Sequence, residues 1–191
     1  TEAAASTWQN VTGCQIQEAY GLTETSPAVS FNPYRDIRIG TIGKVVTGTQ
    51  VKVISEDGTD LGFDQEGELC VKGPQVMAGY WQRPEATAQV MDADGWFKTG
   101  DVAILAEDGF IRLVDRIKDM INVSGFNVYP NEIDDIASQH SGIVECAAVG
   151  IPNSVSGETV KLFVVKSDPN LTADDVISHC REHLTAYKVP K

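Results

Sequence analysis

Residues 97–118 read FKTGDVAILAEDGFIRLVDRIK. Two apolar runs, Val102 to Leu105 and Phe110 to Val114, flank Glu107-Asp108-Gly109, and that pattern predicts a β-hairpin. Beyond it come the charged residues Asp115, Arg116 and Lys118, and after them the spacing of apolar positions changes. A domain boundary is therefore expected near Arg116–Lys118, without a Gly/Ser linker, dividing the chain into 1–116 and 117–191.

On the N-terminal side the pattern is β-rich from Gly40 onward. Gln50 to Ile54 and Gly67 to Lys72 read as strands, with a tight-turn signal at Glu56-Asp57-Gly58. Pro84 suits a first helical turn, and Glu85 to Met91 predicts a short helix. Residues 2–10 read as an amphipathic helix, with Ala4, Ala5 and Trp8 at helical spacing and Gly13 as its stop. Cys14 to Tyr20 alternates as a strand does and runs into Gly21. On the C-terminal side, Met120 to Val123 reads as a short strand and Pro130 opens a helix to about His140. Val144 to Ile151 and Val160 to Val165 are strands, and Thr172-Ala173-Asp174-Asp175 is a capping-box pattern before the last helix. That helix presents Val176, Ile177, Cys180 and Leu184 on one face. The order β-α-β-β-α predicts a small two-layer domain. The fold class expected is α+β: a β-rich region, barrel or sheet, followed by a small α+β domain.

At 191 residues and 42% hydrophobic, the chain can bury a core. Its net charge of −12 disfavours nucleic-acid partners, which bind clustered Lys and Arg. A phosphate-bearing ligand would need local donors or a divalent metal. No apolar stretch approaches the roughly 20 residues of a membrane helix, and no signal pattern opens the chain. It begins Thr1-Glu2-Ala3, without methionine, and so reads as starting inside a longer protein. Cys14, Cys70, Cys146 and Cys180 form no CxxC pair and read as reduced, cytosolic thiols. His179 and His183, spaced i,i+4 with Cys180 between them, mimic a metal face, but Arg181 and Glu182 mark that helix as solvated and no third ligand is evident.

Three polar runs carry chemistry. Tyr20-Gly21-Leu22-Thr23-Glu24 offers an aromatic face for a base, a glycine for close approach, a hydroxyl for a phosphate and a hard oxygen ligand for Mg²⁺. Read alone, it is a strand end and a polar turn. In Lys98-Thr99-Gly100-Asp101, one carboxylate beside a glycine can accept from both hydroxyls of a ribose; read alone, Asp101 is a turn residue before Val102. Arg116, alone, is a surface ion pair with Asp115 or Asp119.

In this order, and with GELCVKGPQVMAGYWQRPEAT at 67–87, WFKTGD at 96–101 and DGFIRLVDRIKDMINVSGFNVYPNEID at 108–134, the chain resembles the adenylate-forming (AMP-binding) ligases. Within them it looks most like the C-terminal part of a bacterial long-chain fatty-acid CoA ligase. The resemblance implies the end of a large N-terminal domain at 1–116 and a small lid domain at 117–191. It implies ATP, Mg²⁺ and CoA as cofactors and a fatty acid as substrate. By resemblance Tyr20, Gly21, Thr23, Asp101 and Arg116 contact the nucleotide, Glu24 holds Mg²⁺, Lys118 is the hinge, and Ser124 and Gly125 meet CoA. Asn127 stands where acetate-activating relatives carry arginine, which argues against an acetyl-CoA synthetase.

The family's glycine-rich phosphate loop and catalytic lysine have no counterpart between Thr1 and Lys191, so no catalytic residue is assigned. Lys188 and Lys191 have the wrong spacing for that lysine. The expectation is a ligase fragment inactive by itself. Two alternatives stand beside it: a relative that loads a carrier protein, and a non-catalytic nucleotide-binding or interaction module. The resemblance also implies a cytoplasmic protein with a peripheral contact at the inner face of the membrane, and it is compatible with a homodimer.

Overall fold

The computed structural model describes residues 2–191; Thr1, and the side chains of residues 2–4, including the Ala4 expected on the first helix face, lie outside the described residues. The chain folds into two compact units, divided between Leu113 and Val114. The division falls three residues before the expected 116/117 boundary, inside a strand. Three antiparallel sheets and four α-helices make the fold class α+β.

The first unit opens with α1 (Glu2–Thr12), which Gly13 stops in the left-handed region (φ 71°) while its N–H bonds the Gln9 carbonyl. The expected strand over 14–20 shrinks to β1 (Ala19–Gly21). Ile16, Glu18 and Tyr20 are half-buried between exposed neighbours, as the alternation predicts, but only Ala19–Gly21 pairs with another strand. β1 pairs with β2 (Ala28–Phe31), and β2 with β3 (Lys44–Val45). The loop between β2 and β3 is tied by Asn32, which is fully buried: its amide donates to the Thr41 carbonyl (2.8 Å) and accepts from the Arg38 N–H (3.0 Å).

The second sheet runs in order through β4 (Gln50–Ile54), β5 (Glu66–Lys72), β6 (Phe97–Leu105) and β7 (Ile111–Arg116). The 107–109 turn joins β6 to β7 as expected, but β6 begins five residues before Val102. The reason is a bulge. Glu68 pairs with Val102 and Cys70 with Lys98, so Thr99-Gly100-Asp101 stands opposite Leu69 alone. A turn signal inside a strand had looked like the start of one. α2 (Pro84–Val90) lies between β5 and β6, with proline in its first turn. Val29, Val53, Leu69, Val71, Ala103 and Ile111 form the core of this unit.

The second unit contains one strand more than expected. β8 (Ile121–Val123) turns into β9 (Phe126–Val128) through Ser124 and Gly125, both left-handed at φ 55° and 87°. Two positive φ values in a two-residue connection make a type I′ hairpin. α3 (Pro130–Ala137) stops short of His140. Then come β10 (Ile143–Asn153), β11 (Gly157–Lys166) and α4 (Ala173–His183), in a sheet ordered β10-β11-β8-β9. Ile121, Val128, Ile133, Ala137, Val160, Val176 and Cys180 pack the helices on that sheet. The Thr172–Asp175 capping box forms as read. Leu184, expected on the α4 face, lies one residue past the helix and is still buried.

Candidate functional site

Tyr20 and Asp101, from motifs far apart in sequence, meet in the first unit. The Tyr20 hydroxyl donates to Asp101 Oδ2 at 2.5 Å. Asp101 is buried, at 5% exposure, and the bulge of β6 is what turns it toward Tyr20. That bulge is held at three points. Thr99 Oγ1 donates to the Leu69 carbonyl (2.8 Å), the Gly100 N–H to Glu68 (3.1 Å) and the Asp101 N–H to Thr99 Oγ1 (3.1 Å). Gly100 has φ 74° with open space around it, so backbone conformation rather than room demands glycine there.

Gly21 is glycine for the opposite reason. A Cβ there would lie 1.7 Å from the Pro27 carbonyl oxygen, where the chain crosses back into β2. Thr23, Glu24 and Thr25 form a single 3-10 turn between these points. Thr25, absent from the sequence reading, is fully buried; its hydroxyl accepts the Leu22 N–H (2.9 Å) and donates to the Pro27 carbonyl (2.7 Å). Thr23 is exposed and Glu24 half-buried. Glu24 is gripped by a distant loop: its carbonyl accepts the Met77 N–H (2.8 Å), and its Oε1 accepts the Tyr80 hydroxyl (2.9 Å). Burial first, then the neighbouring Glu24 carboxylate, hold the Tyr80 hydroxyl above its ordinary range, so it stays a donor. No sequence signal marked Tyr80 as a partner of Glu24, because the two are joined only by loop closure.

Among the described residues no three His, Cys, Asp or Glu side chains cluster as a self-sufficient metal site. Glu24 nevertheless fits Mg²⁺ in the mode that ion prefers, one protein carboxylate completed by substrate phosphates and water. His179 Nε2 lies 2.9 Å from the Ile136 carbonyl of α3, so that ring sits between the helices, while His183, exposed, places Nδ1 3.0 Å from the His179 carbonyl of its own helix.

The remaining site residues belong to the second unit. Asp115, buried, receives the Arg116 N–H on Oδ1 (2.7 Å) and the Asn131 N–H on Oδ2 (2.9 Å). It thus caps the first turn of α3 from a distance. Arg116 is exposed, and Lys118 lies exposed on a 3-10 turn, Ile117–Asp119. Lys118 borders an open cavity of about 400 Å³, together with Asp115, Asp119, Asn131 and Glu158. Ser124 and Gly125 form the β8–β9 turn, with the Ser124 N–H bonded to the Ser156 carbonyl (2.8 Å) and the Gly125 N–H to Asn122 Oδ1 (2.9 Å). Lys188 is engaged by both carboxylate oxygens of Glu132, and the Lys191 N–H bonds the Val160 carbonyl (3.1 Å).

Residues 1–81 match the model of the AMP-binding enzyme family, and residues 132–191 match that of the AMP-binding enzyme C-terminal domain. The long-chain-fatty-acid–CoA ligase of Salmonella typhimurium is 58% identical over 98% of this chain and 33% of its own length. The ligase of the same name from Escherichia coli O6:H1 is 54% identical over 100% of this chain and 34% of its own. The chain therefore spans about one third of the length of the curated relatives it matches. Among solved structures, ATP-bound MatB from Rhodopseudomonas palustris superposes with a TM-score of 0.92 at 36% identity, over 99% of this chain and 38% of that one. With both family models matched in order, and relatives more than half identical from end to end of these residues, the chain belongs to the AMP-binding enzyme family.

Proposed function

We propose that this chain is the nucleotide-gripping and lid portion of a long-chain fatty-acid CoA ligase. The parent reaction is ATP + fatty acid + CoA giving acyl-CoA, AMP and pyrophosphate through an acyl-adenylate. The observation that carries the reading is the 2.5 Å contact between Tyr20 and Asp101, which joins a base-facing aromatic to a buried carboxyl suited to a ribose. The long-chain substrate is supported by the 58% identity to the Salmonella typhimurium enzyme.

A carboxylate is a poor electrophile; its attack on the α-phosphate of ATP expels pyrophosphate and gives a mixed anhydride, the acyl-adenylate, from which AMP can leave. The CoA thiol then displaces AMP. Catalysis of both steps lies mainly in positioning and in neutralising phosphate charge. In this reading Tyr20 lies against adenine while its hydroxyl orients Asp101 toward the ribose, and Gly21 permits close approach of the backbone to the nucleotide. Thr23 donates to the α-phosphate. Glu24 would hold Mg²⁺, which when bound neutralises charge on the phosphates. Arg116 reaches the ribose, Lys118 is the point about which the lid turns, and the Ser124–Gly125 turn meets the pantetheine arm. The proposal includes the division of labour at 116/117, supported by the change of apolar spacing there, and a cytoplasmic location, supported by the unpaired cysteines and the resemblance; peripheral contact at the inner membrane face rests on the resemblance, with which a homodimer is compatible.

The test is fatty-acid-dependent ATP–pyrophosphate exchange, from acetate to oleate. It compares the 191-residue chain with a graft in which this chain replaces the matching third of the Salmonella typhimurium ligase. Exchange by the graft that peaks at long acids, with none from the chain alone, is the expected result. Exchange by the chain alone would overturn its assignment as an inactive part. A graft that folds, binds AMP and exchanges with no acid would overturn the ligase reading and favour a binding module. Acyl-AMP that forms but passes only to a carrier protein would identify the acyl-AMP ligase alternative.

A further inference from the structure

Glu24 is the sole side chain assigned to Mg²⁺ above, and a lone, half-buried carboxylate on a short 3-10 turn has several rotamers from which to miss a metal. Three contacts reduce that freedom. The Met77 N–H holds the Glu24 carbonyl (2.8 Å), fixing the backbone. The Tyr80 hydroxyl holds Oε1 (2.9 Å), fixing the side chain and leaving Oε2 with no hydrogen bond among the described residues. Tyr80 in turn is anchored by α2: its N–H bonds Thr87 Oγ1 (2.9 Å), and the Thr87 hydroxyl donates to the Arg83 carbonyl (2.9 Å). Gly79 makes the approach feasible. It has φ 148°, and a Cβ there would lie 2.8 Å from Thr87 Cγ2. The Gly79-Tyr80 pair is thus pressed onto α2 so that the phenol spans the gap to Glu24.

From this we infer that Tyr80 is a positioning residue for the metal: it orients the Glu24 carboxylate so that Oε2 faces the ion and its phosphates. The inference rests on the reading of Glu24 as the Mg²⁺ ligand. A tyrosine suits the task better than a lysine or arginine would, because it aims the carboxylate without cancelling the charge that attracts the cation. Partners that orient a metal-binding carboxylate in this way tune affinity although they never touch the metal.

The experiment uses the graft described above and measures equilibrium binding of Mn²⁺·ATP by electron paramagnetic resonance, with metal-free AMP binding as the internal control. Tyr80→Phe keeps the ring and removes the hydroxyl; it is expected to weaken Mn²⁺·ATP binding roughly tenfold while AMP binding stays unchanged. Thr87→Val, which loosens the anchor, is expected to act in the same direction by a smaller factor. Equal loss of AMP and Mn²⁺·ATP binding in Tyr80→Phe would make Tyr80 a structural residue and overturn the inference, as would no loss at all. Glu24→Gln separates the two levels. If it removes the metal dependence and Tyr80→Phe does not alter it, the inference fails and the ligand assignment stands. If Glu24→Gln itself leaves the metal dependence intact, the assignment of Glu24 fails, and the inference with it.

Discussion

The Tyr20 hydroxyl donates to Asp101 across 81 residues of sequence, and it does so at a carboxyl group that is 5% exposed. Tyr20→Phe keeps the aromatic face and removes only this bond. A lost hydrogen bond to a buried carboxylate costs about 2 kcal/mol. The urea midpoint of the variant chain should fall accordingly, and on the proposed role of Tyr20 AMP binding by the graft should weaken although the ring is kept. Unchanged binding would remove Asp101 orientation from the role of Tyr20.

Two glycines of the site should respond to alanine very differently. At Gly21 the added methyl would meet the Pro27 carbonyl oxygen at 1.7 Å, a backbone atom that cannot swing away. Gly21→Ala is therefore expected to lose about 3 kcal/mol, the upper end of overpacking costs. At Gly125 nothing lies within 4 Å and only φ 87° opposes a side chain. There the cost should be about 1 kcal/mol. Urea denaturation of both variants checks the ranking, and equal losses would contradict it.

The cap of α4 predicts a pH dependence. The Thr172 hydroxyl, first, and the Thr172 N–H hold the Asp175 carboxyl below its ordinary range. A carboxyl depressed in the folded state stabilises above its unfolded pKa and loses that contribution as pH falls through the folded value. This contribution should therefore hold from neutral pH down to about 4, the ordinary carboxyl value, and be lost on further acidification. Thr172→Ala should cost about 1 kcal/mol at neutral pH as a lost N-cap. It should also flatten this share of the acid limb, which thermal melts across the pH range would detect.

Thiol labelling should follow burial. Cys14 is exposed, whereas Cys70 is buried with its thiol pushed up to about 12, chiefly by burial and next by Glu68. Burial also raises Cys146 and Cys180. Since the thiolate is the reactive form, iodoacetamide should modify Cys14 first and reach Cys70 only on unfolding. Peptide mapping by mass spectrometry gives the order, and early modification of Cys70 would contradict the packing of β5.

Much of the fold was legible in the sequence because it depends on neighbours along the chain. The Glu107-Asp108-Gly109 turn, Pro84 and Pro130 at helix starts, Gly13 at a helix stop and the Thr172–Asp175 box each act within a few residues, and each is found where it was read. The misreadings were local signals reinterpreted by their partners. Thr99-Gly100-Asp101 has the composition of a turn, yet β5 on one side makes it a bulge within β6. Phe126–Val128 carried no strand reading, and becomes β9 only because it pairs back on β8 through the Ser124-Gly125 turn.

The sequence by itself determined the family, the α+β class and the residue types offered to a nucleotide. Tertiary structure alone decided how those residues are held. Tyr20 meets Asp101, Tyr80 meets Glu24, Asp115 caps Asn131 and Asn32 ties Thr41 to Arg38, and none of these pairs follows from a period of 2 or 3.6 residues. Periodicity reports which face of an element is buried. Which polar group a buried or half-buried side chain finds there is settled only when loops close and strands choose their register, since a polar group removed from water must bond to whatever the fold brings within reach.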